Sequence, residues 1–225
     1  MNWNNIQTLE EERHEIGSHS IDHKRLSKLS EENIKYEIIE SKRCLQENEF
    51  NVTSFSFPYN DGDNNESILK IIADNYYIAR TAYEPLMLFH CRNENVEDND
   101  DNKYENQCHK YSTENNRNEL QSYFNRYTIT GLSHEAYKKS GGYSDEEMFE
   151  QFIEIVESQI KHNTENSIGA IPILIYHSID YTRDDYSINP DLFEKEMKYL
   201  FENEYKIFQM KDITYDSEGL HITGY

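Results

Sequence analysis

Two histidines stand four residues apart in the segment HEIGSHSIDH, which spans residues 14–23. Imidazole is a frequent metal ligand, and side chains at i and i+4 of a helical turn can reach the same metal ion. The spacing therefore predicts a metal site formed by His19 and His23. Spacing alone is weak evidence, because the chain contains 9 histidines and short motifs also occur by chance.

Polar residues also follow two other predicted strands. Tyr59 comes shortly after the predicted strand 52–57, and His177 follows the apolar segment 171–176, which is typical of a strand buried on both faces. Ligands of parallel α/β folds gather at the carboxyl ends of strands. We therefore expect Tyr59 and His177 to lie near the histidine pair.

The elements that must position these residues alternate between helix and strand. Helical periodicity and capping residues predict five helices: Trp3–Glu12, one capped by Ser30, Glu66–Asn75, one capped by Ser144 with Glu147, and one that begins at Asn189-Pro190. Further strands are predicted at 15–17, 77–83, 123–132 and 205–210. This alternation predicts an α/β domain with a mainly parallel sheet or a barrel.

Composition narrows the classes of partner. The net charge is −21, from 22 basic and 43 acidic residues, which disfavours nucleic acid and anionic membranes. No apolar run approaches the roughly 18 residues that a membrane span needs, and no signal peptide is visible. Residues 93–118 are polar and are predicted to be a mobile insertion in a single domain over 1–225. Cys91 and Cys108 flank this insertion, either as a disulfide or as two thiols.

The segment HEIGSHSIDH closely resembles the metal-binding motif of the polysaccharide deacetylase family (the NodB-homology domain, carbohydrate esterase family 4), which typically reads GHEIGSHTxxH. FSFPYND resembles the family motif RxPYG or YPYG, although the arginine and the glycine are absent. ILIYH resembles a later motif with a histidine after a hydrophobic strand. The segment after it, PDLFEKEMKYLFENEYKIFQMKDI, is similar to the family's last helix and strand.

This resemblance implies a fold and a reaction. The fold is an incomplete, distorted (β/α) barrel. His19 and His23 would bind zinc or another divalent metal, the backbone N–H of Tyr59 would help to form an oxyanion hole, and His177 would be the general acid. The substrate would be an N-acetylated oligo- or polysaccharide, and relatives are commonly extracellular or at the cell surface.

One part of the family pattern is missing. The family domain opens with a strand that ends in TFDDG, whose first aspartate is the general base and whose second completes the metal triad; no such motif occurs in the chain. The resemblance therefore predicts an N-terminally truncated member without its first βαβ unit, which binds metal weakly and is impaired as an enzyme. The alternatives are a non-catalytic glycan-binding remnant of the same fold and an amidohydrolase that acts on a small non-sugar amide.

Overall fold

The computed structural model describes residues 2–89, 126–135, 142–165, 168–182, 186–216 and 219–222. The insertion predicted at 93–118 and the pair Cys91 and Cys108 lie outside these residues. The chain forms two compact units. Unit 1 consists of Met1–Thr81, Thr113–Ile129 and Phe208–Gly224, and unit 2 consists of Ala82–Ser112, Thr130–Ile207 and Tyr225. Among the described residues, no helix is long and apolar enough to cross a membrane.

The described part of unit 1 contains four α-helices: α1 (Trp3–Glu11), α2 (Glu31–Lys35), α3 (Ser41–Glu47) and α4 (Glu66–Asn75). Side chains of Asn2, Ser30 and Asn65 cap α1, α2 and α4 by accepting from backbone N–H groups of the first turn. A π-turn over Tyr36–Glu40 joins α2 to α3, so that the three segments form one continuous rod. The predicted helices of this unit are therefore confirmed, apart from the π-turn.

Short parallel strands form the centre of unit 1. Strand β1 (Ser54–Ser56) pairs in parallel with β2 (Ile78–Arg80), and isolated parallel bridges add Ser18 beside β1 and Ile129 beside β2. Gly17 permits the close approach at this edge, since a Cβ atom there would stand 2.7 Å from Ser54 Oγ. The carboxyl ends of these four chain segments thus point the same way.

One apolar cluster packs α2, the π-turn and α4 against β1. Phe55 and Ile38 are fully buried in it, as are Ile68 and Ile72 of α4. A hairpin of β9 (Ile213–Asp216) and β10 (Gly219–Ile222) completes the described part of this unit. The cluster comprises Leu26, Ile34, Ile38, Phe50, Val52, Phe55, Phe57, Ile68, Leu69, Ile72, Tyr76, Ala79 and Tyr127.

The described part of unit 2 contains three strand pairs and two long helices. Its strands are β3 (Leu86–Leu88), antiparallel to β5 (Ala170–Pro172), β4 (Leu132–Ser133), parallel to β6 (Leu174–Ile175), and β7 (Ser178–Ile179), parallel to β8 (Ser187–Ile188). Its helices are α5 (Asp145–Glu157) and α6 (Pro190–Glu202). The predicted capping box of Ser144 and Glu147 is present at the start of α5. Across the described residues, the strands of both units form two-stranded sheets and no closed barrel; the expected mixed α/β class is confirmed.

Several predicted strands are wrong or shorter than expected. Residues 15–17 form no strand, and the adjacent Ser18 makes a single bridge. The segment 171–176 breaks into two strands with different partners, and residues 205–209 are irregular. Within 123–132, the described part makes one bridge at Ile129 and enters β4 only at Leu132. Each loss has the same cause, since partners distant in sequence decide where a short strand pairs.

A buried polar network lies between the strands and helices of unit 2. Tyr176 Oη donates to Glu196 Oε2 over 2.7 Å, and Glu196 Oε1 lies 3.3 Å from His134 Nδ1. Burial raises the pKa of Glu196 to about 8 and lowers the pKa of His134. His134 Nε2 faces the carbonyl oxygen of Met148 at 3.2 Å and must donate to it. Burial therefore favours the neutral forms of both Glu196 and His134.

This network makes stability depend on pH. The folded pKa of Glu196 lies above its ordinary value of 4.5, so its stabilising contribution is complete below pH 4.5 and is lost as pH rises through about 8. We expect Glu196→Gln to keep the hydrogen bond from Tyr176, because its side-chain carbonyl accepts in place of Oε2, and to remove the titrating carboxyl group. Thermal unfolding from pH 5 to 8.5 should show a smaller alkaline loss than in the wild type. Glu202→Gln, an exposed change on the same helix, is the control, and parallel pH profiles for all three proteins would contradict the assignment.

Candidate functional site

The two imidazoles of His19 and His23 converge at the carboxyl end of β1. Their Nε2 atoms are 3.1 Å apart. His19 Nδ1 lies 2.8 Å from the carbonyl oxygen of Ser56, which can only accept, so Nδ1 carries the proton of His19 and Nε2 presents a lone pair. His23 Nε2–H must therefore donate to His19 Nε2. Two nitrogens bound to one tetrahedral zinc ion stand about 3.3–3.4 Å apart, so this pair has the separation of two ligands of one metal.

The histidines do not converge as the helical spacing predicted. Residues 19–23 are irregular, and both Ser20 (φ 68°) and His23 (φ 53°) adopt left-handed backbone conformations. Ser20 Oγ accepts from His23 N at 3.0 Å, and the carboxylate of Glu37 accepts from Ile21 N and Asp22 N. The prediction of a helical turn was wrong because these side-chain contacts hold a different backbone.

Tyr59 lies beside this pair. Its ring packs against the ring of His23 with centroids 4.5 Å apart. The guanidinium carbon of Arg25 lies over the Tyr59 ring, 4.5 Å from its centre. Pro58 begins a short turn in which Tyr59 (φ 56°) and Asn60 (φ 53°) are both left-handed. Among the described residues, the backbone N–H of Tyr59 donates to no backbone carbonyl oxygen. This N–H is therefore available to a ligand.

Charged side chains around the pair are engaged with one another. Asp22 pairs with Lys24 at 2.7 Å and does not orient an imidazole. Asp61 accepts from Ser27 N and Ser27 Oγ, which fixes the chain after Tyr59. No group of three or more His, Cys, Asp or Glu side chains that could hold a metal ion occurs in the described part of the chain. The structure thus presents a pair of nitrogen donors rather than a complete metal triad.

Two arginines of unit 1, Arg80 and Arg126, differ in environment. Arg126 donates to Tyr77 O, and its guanidinium lies 3.7 Å from the centre of the Tyr77 ring, so its role is structural. Arg80 pairs with Ser56 in the register of β2 with β1, and burial lowers its pKa to about 10.

His177 lies in unit 2, at the carboxyl end of β6. Its backbone N–H donates to Glu135 Oε1 at 2.5 Å, and its Nδ1 lies 3.4 Å from Glu135 Oε2 and 3.3 Å from Ser133 Oγ. The polar side-chain contacts of the His177 ring with these described residues are therefore made by Nδ1. The ring also packs against the ring of Tyr186, with centroids 5.3 Å apart. The fully buried carboxylate of Glu135 fixes the orientation of an exposed histidine.

Sequence reasoning missed two carboxylates that organise these histidines. Glu37 lies between the apolar positions Ile34 and Ile38 of the helical rod. A charged residue at such a position could have indicated a buried carboxylate. Glu135 lies two residues after strand β4, and its polar sequence context gave no signal of burial. Both carboxylates are buried, and hydrogen bonding to His177 is among the causes that lower the pKa of Glu135 against the opposing effect of burial.

Comparison with known families matches residues 1–78 to the model described as polysaccharide deacetylase. The match covers the HEIGSH segment, the Pro58-Tyr59 turn and β1. Residues 1–78 are therefore a polysaccharide deacetylase segment of the NodB type, and the resemblance is confirmed over this part of the chain. No characterised protein and no solved structure gives a significant match.

The left-handed turn explains the residue that replaces the family glycine. Asn60 stands where the family motif PYG has glycine, and asparagine tolerates a positive φ better than other residues with a Cβ atom. We expect Asn60→Gly to leave the free energy of unfolding unchanged or to raise it by up to about 1 kcal/mol, and Asn60→Val to lower it by about 1–2 kcal/mol. Chemical denaturation measures both. Equal stability of the Val variant and the wild type would contradict the left-handed turn.

Proposed function

We propose that this protein is a metal-dependent hydrolase of the polysaccharide deacetylase type that removes N-acetyl groups from a glycan, and that its activity is impaired because the chain contains no TFDDG motif to supply the general base. The observation that carries the proposal is the convergence of His19 Nε2 and His23 Nε2 at 3.1 Å in a polysaccharide deacetylase segment. The donor set suits a divalent metal, because both nitrogens face one point and the Nδ1 hydrogen bond of His19 fixes its tautomer. Zinc is the proposed ion, since imidazole nitrogen is a common zinc ligand.

The residues divide the chemistry between them. Bound zinc would lower the pKa of a water molecule and polarise the acetamide carbonyl. Tyr59 N–H would donate to the oxyanion that forms when the carbonyl is attacked. Its left-handed backbone and its contact with His23 support this role. The exposed ring of Tyr59 suits a sugar, whose apolar faces pack on aromatic side chains.

We propose His177 as the group that protonates the departing amine. Glu135 holds the ring through Nδ1, so a proton that the imidazolium form gives to the amine would leave from Nε2. Glu135 is then a positioning residue, because it acts on His177 and not on the substrate. The barrel type of the fold is part of the same proposal, and the parallel order of Ser18, β1, β2 and Ile129 supports it.

A glycan-binding protein without catalysis is the second candidate. The observation in its favour is that His19 and His23 form no group of three metal-binding side chains with any described residue. The two candidates share the binding surface and differ in turnover.

Metal binding tests the histidine pair directly. We expect the chain to bind one zinc ion, and His19→Ala or His23→Ala to weaken binding by at least about tenfold, because each removes one of two nitrogen donors. Competition with a chromophoric chelator measures the affinity. His14→Ala is the matched control, since His14 is exposed in the same segment and outside the pair. Wild-type affinity in the double variant His19→Ala/His23→Ala would refute the metal site.

Turnover tests the catalytic claim. We expect the zinc-loaded protein to release acetate from N-acetylated chitooligosaccharides, and His177→Gln to reduce kcat by about 10²–10⁴-fold, as loss of a general acid does. Enzymatic detection of acetate follows the reaction, with His14→Gln as the control. Glycan binding without acetate release would instead support the non-catalytic candidate, and an unaltered kcat in His177→Gln would exclude its role as the acid.

A further inference from the structure

We propose that Glu37 is the positioning residue of the metal site: it holds the loop between His19 and His23 in the conformation that makes the two imidazoles converge. The inference rests on the proposed function and extends it to a residue outside the predicted site. Glu37 contacts backbone N–H groups of the loop, and so acts on the histidines through the chain that carries them.

The loop needs such a residue because its backbone is unfavourable by itself. Left-handed residues other than glycine cost of order 1 kcal/mol each and persist only where surrounding contacts hold them. Ser20 and His23 both have positive φ, and no helical hydrogen bonds run through 19–23. Local sequence therefore does not supply the convergence of the histidines.

The carboxylate of Glu37 supplies the missing constraint. Its Oε2 accepts from Ile21 N at 3.1 Å and from Asp22 N at 2.8 Å, the two peptide groups midway between the histidines. Only 1% of the residue is exposed, and hydrogen bonds to a charged acceptor are about twice as strong as neutral ones. Lys24 Nζ, 3.5 Å from Oε1, supplies a positive charge. The two bonds thus fix the middle of the loop.

The π-turn aims Glu37 and a second residue at the same segment. The hydroxyl of Ser41, four residues later, is hydrogen-bonded to the hydroxyl of Ser18 over 2.7 Å. Ser18 directly precedes His19. The wider turn leaves Ile38 O to accept from Ser41 Oγ and from Tyr76 Oη. One helical rod therefore forms hydrogen bonds to the chain directly before the first histidine and again between the two histidines.

Three substitutions of Glu37 separate the effect of its side-chain length from the effect of its charge. Glu37→Gln keeps an acceptor at the same reach, Glu37→Asp keeps the charge but shortens the side chain by one methylene, and Glu37→Leu removes the acceptor at similar volume. We expect zinc affinity close to wild type for the Gln variant, and about 10–100-fold weaker for Asp and Leu, the usual effect of losing a residue that orients metal ligands. Glu40→Leu, on the same π-turn but paired with Arg43 at the surface, is the matched control.

A second readout needs no metal. In the metal-free protein, amide hydrogen exchange of Ile21 and Asp22, followed by NMR, should accelerate at least about tenfold in the Asp and Leu variants and little in the Gln variant. If the Leu variant does not fold, the comparison of Gln with Asp decides. Wild-type zinc affinity in the Asp variant, Leu-like affinity in the Gln variant, or unchanged exchange in the Asp variant would overturn the proposal.

The two readouts also separate the failure of this inference from the failure of the proposed function. If the wild-type protein binds no zinc, or binds it equally after His19→Ala, the metal site is refuted, and amide exchange alone decides whether Glu37 holds the loop. If zinc binding depends on His19 but not on the reach of residue 37, the metal site stands and the positioning role is refuted.

Discussion

The geometry of the histidine pair depends on the two backbone hydrogen bonds that join Ser18 to strand β1. Ser18 N donates to Ser54 O over 3.0 Å, and Ser56 N donates to Ser18 O over 2.9 Å. They place His19 at the end of β1, where its Nδ1 reaches Ser56 O. Tyr59 follows the same strand after one short turn. A single parallel contact thus aligns one metal ligand and the proposed oxyanion donor, and the glycine before Ser18 makes the contact sterically accessible.

Sequence analysis predicts the elements whose signals are local. Helix α4 has the predicted bounds, and the capping box at Ser144 forms as expected, because caps and apolar periodicity act within a few residues. The residues of the metal motif were also accessible, because His19, His23 and Tyr59 stand in a recognisable order. Their location near the carboxyl end of β1 follows from a strand that sequence patterns could locate approximately.

Tertiary contacts decide what the sequence did not reveal. The loop 19–23 is set by a carboxylate fourteen or more positions away, and a helical spacing rule has no means of detecting it. Helix α6 shows the same limit in unit 2, because its apolar Phe201 is 84% exposed and its charged Glu196 is fully buried. Glu196 is buried because it finds Tyr176 and His134, partners that come from other elements. Charge is a poor guide to burial wherever a protonated or hydrogen-bonded carboxyl is available.

The π-turn over Tyr36–Glu40 also decides which changes of length this part of the chain can absorb. A π-turn holds one more residue than a regular helical turn, so deleting one residue within it can restore regular helix while the flanking parts of the rod keep their orientation. Each residue of a helix turns the following side chains by about 100°. A deletion before the turn, between Ser30 and Tyr36, would therefore rotate one part of the rod against the other by that angle. Either the apolar stripe with Ile34 would leave the core, or Ser41 would turn from Ser18.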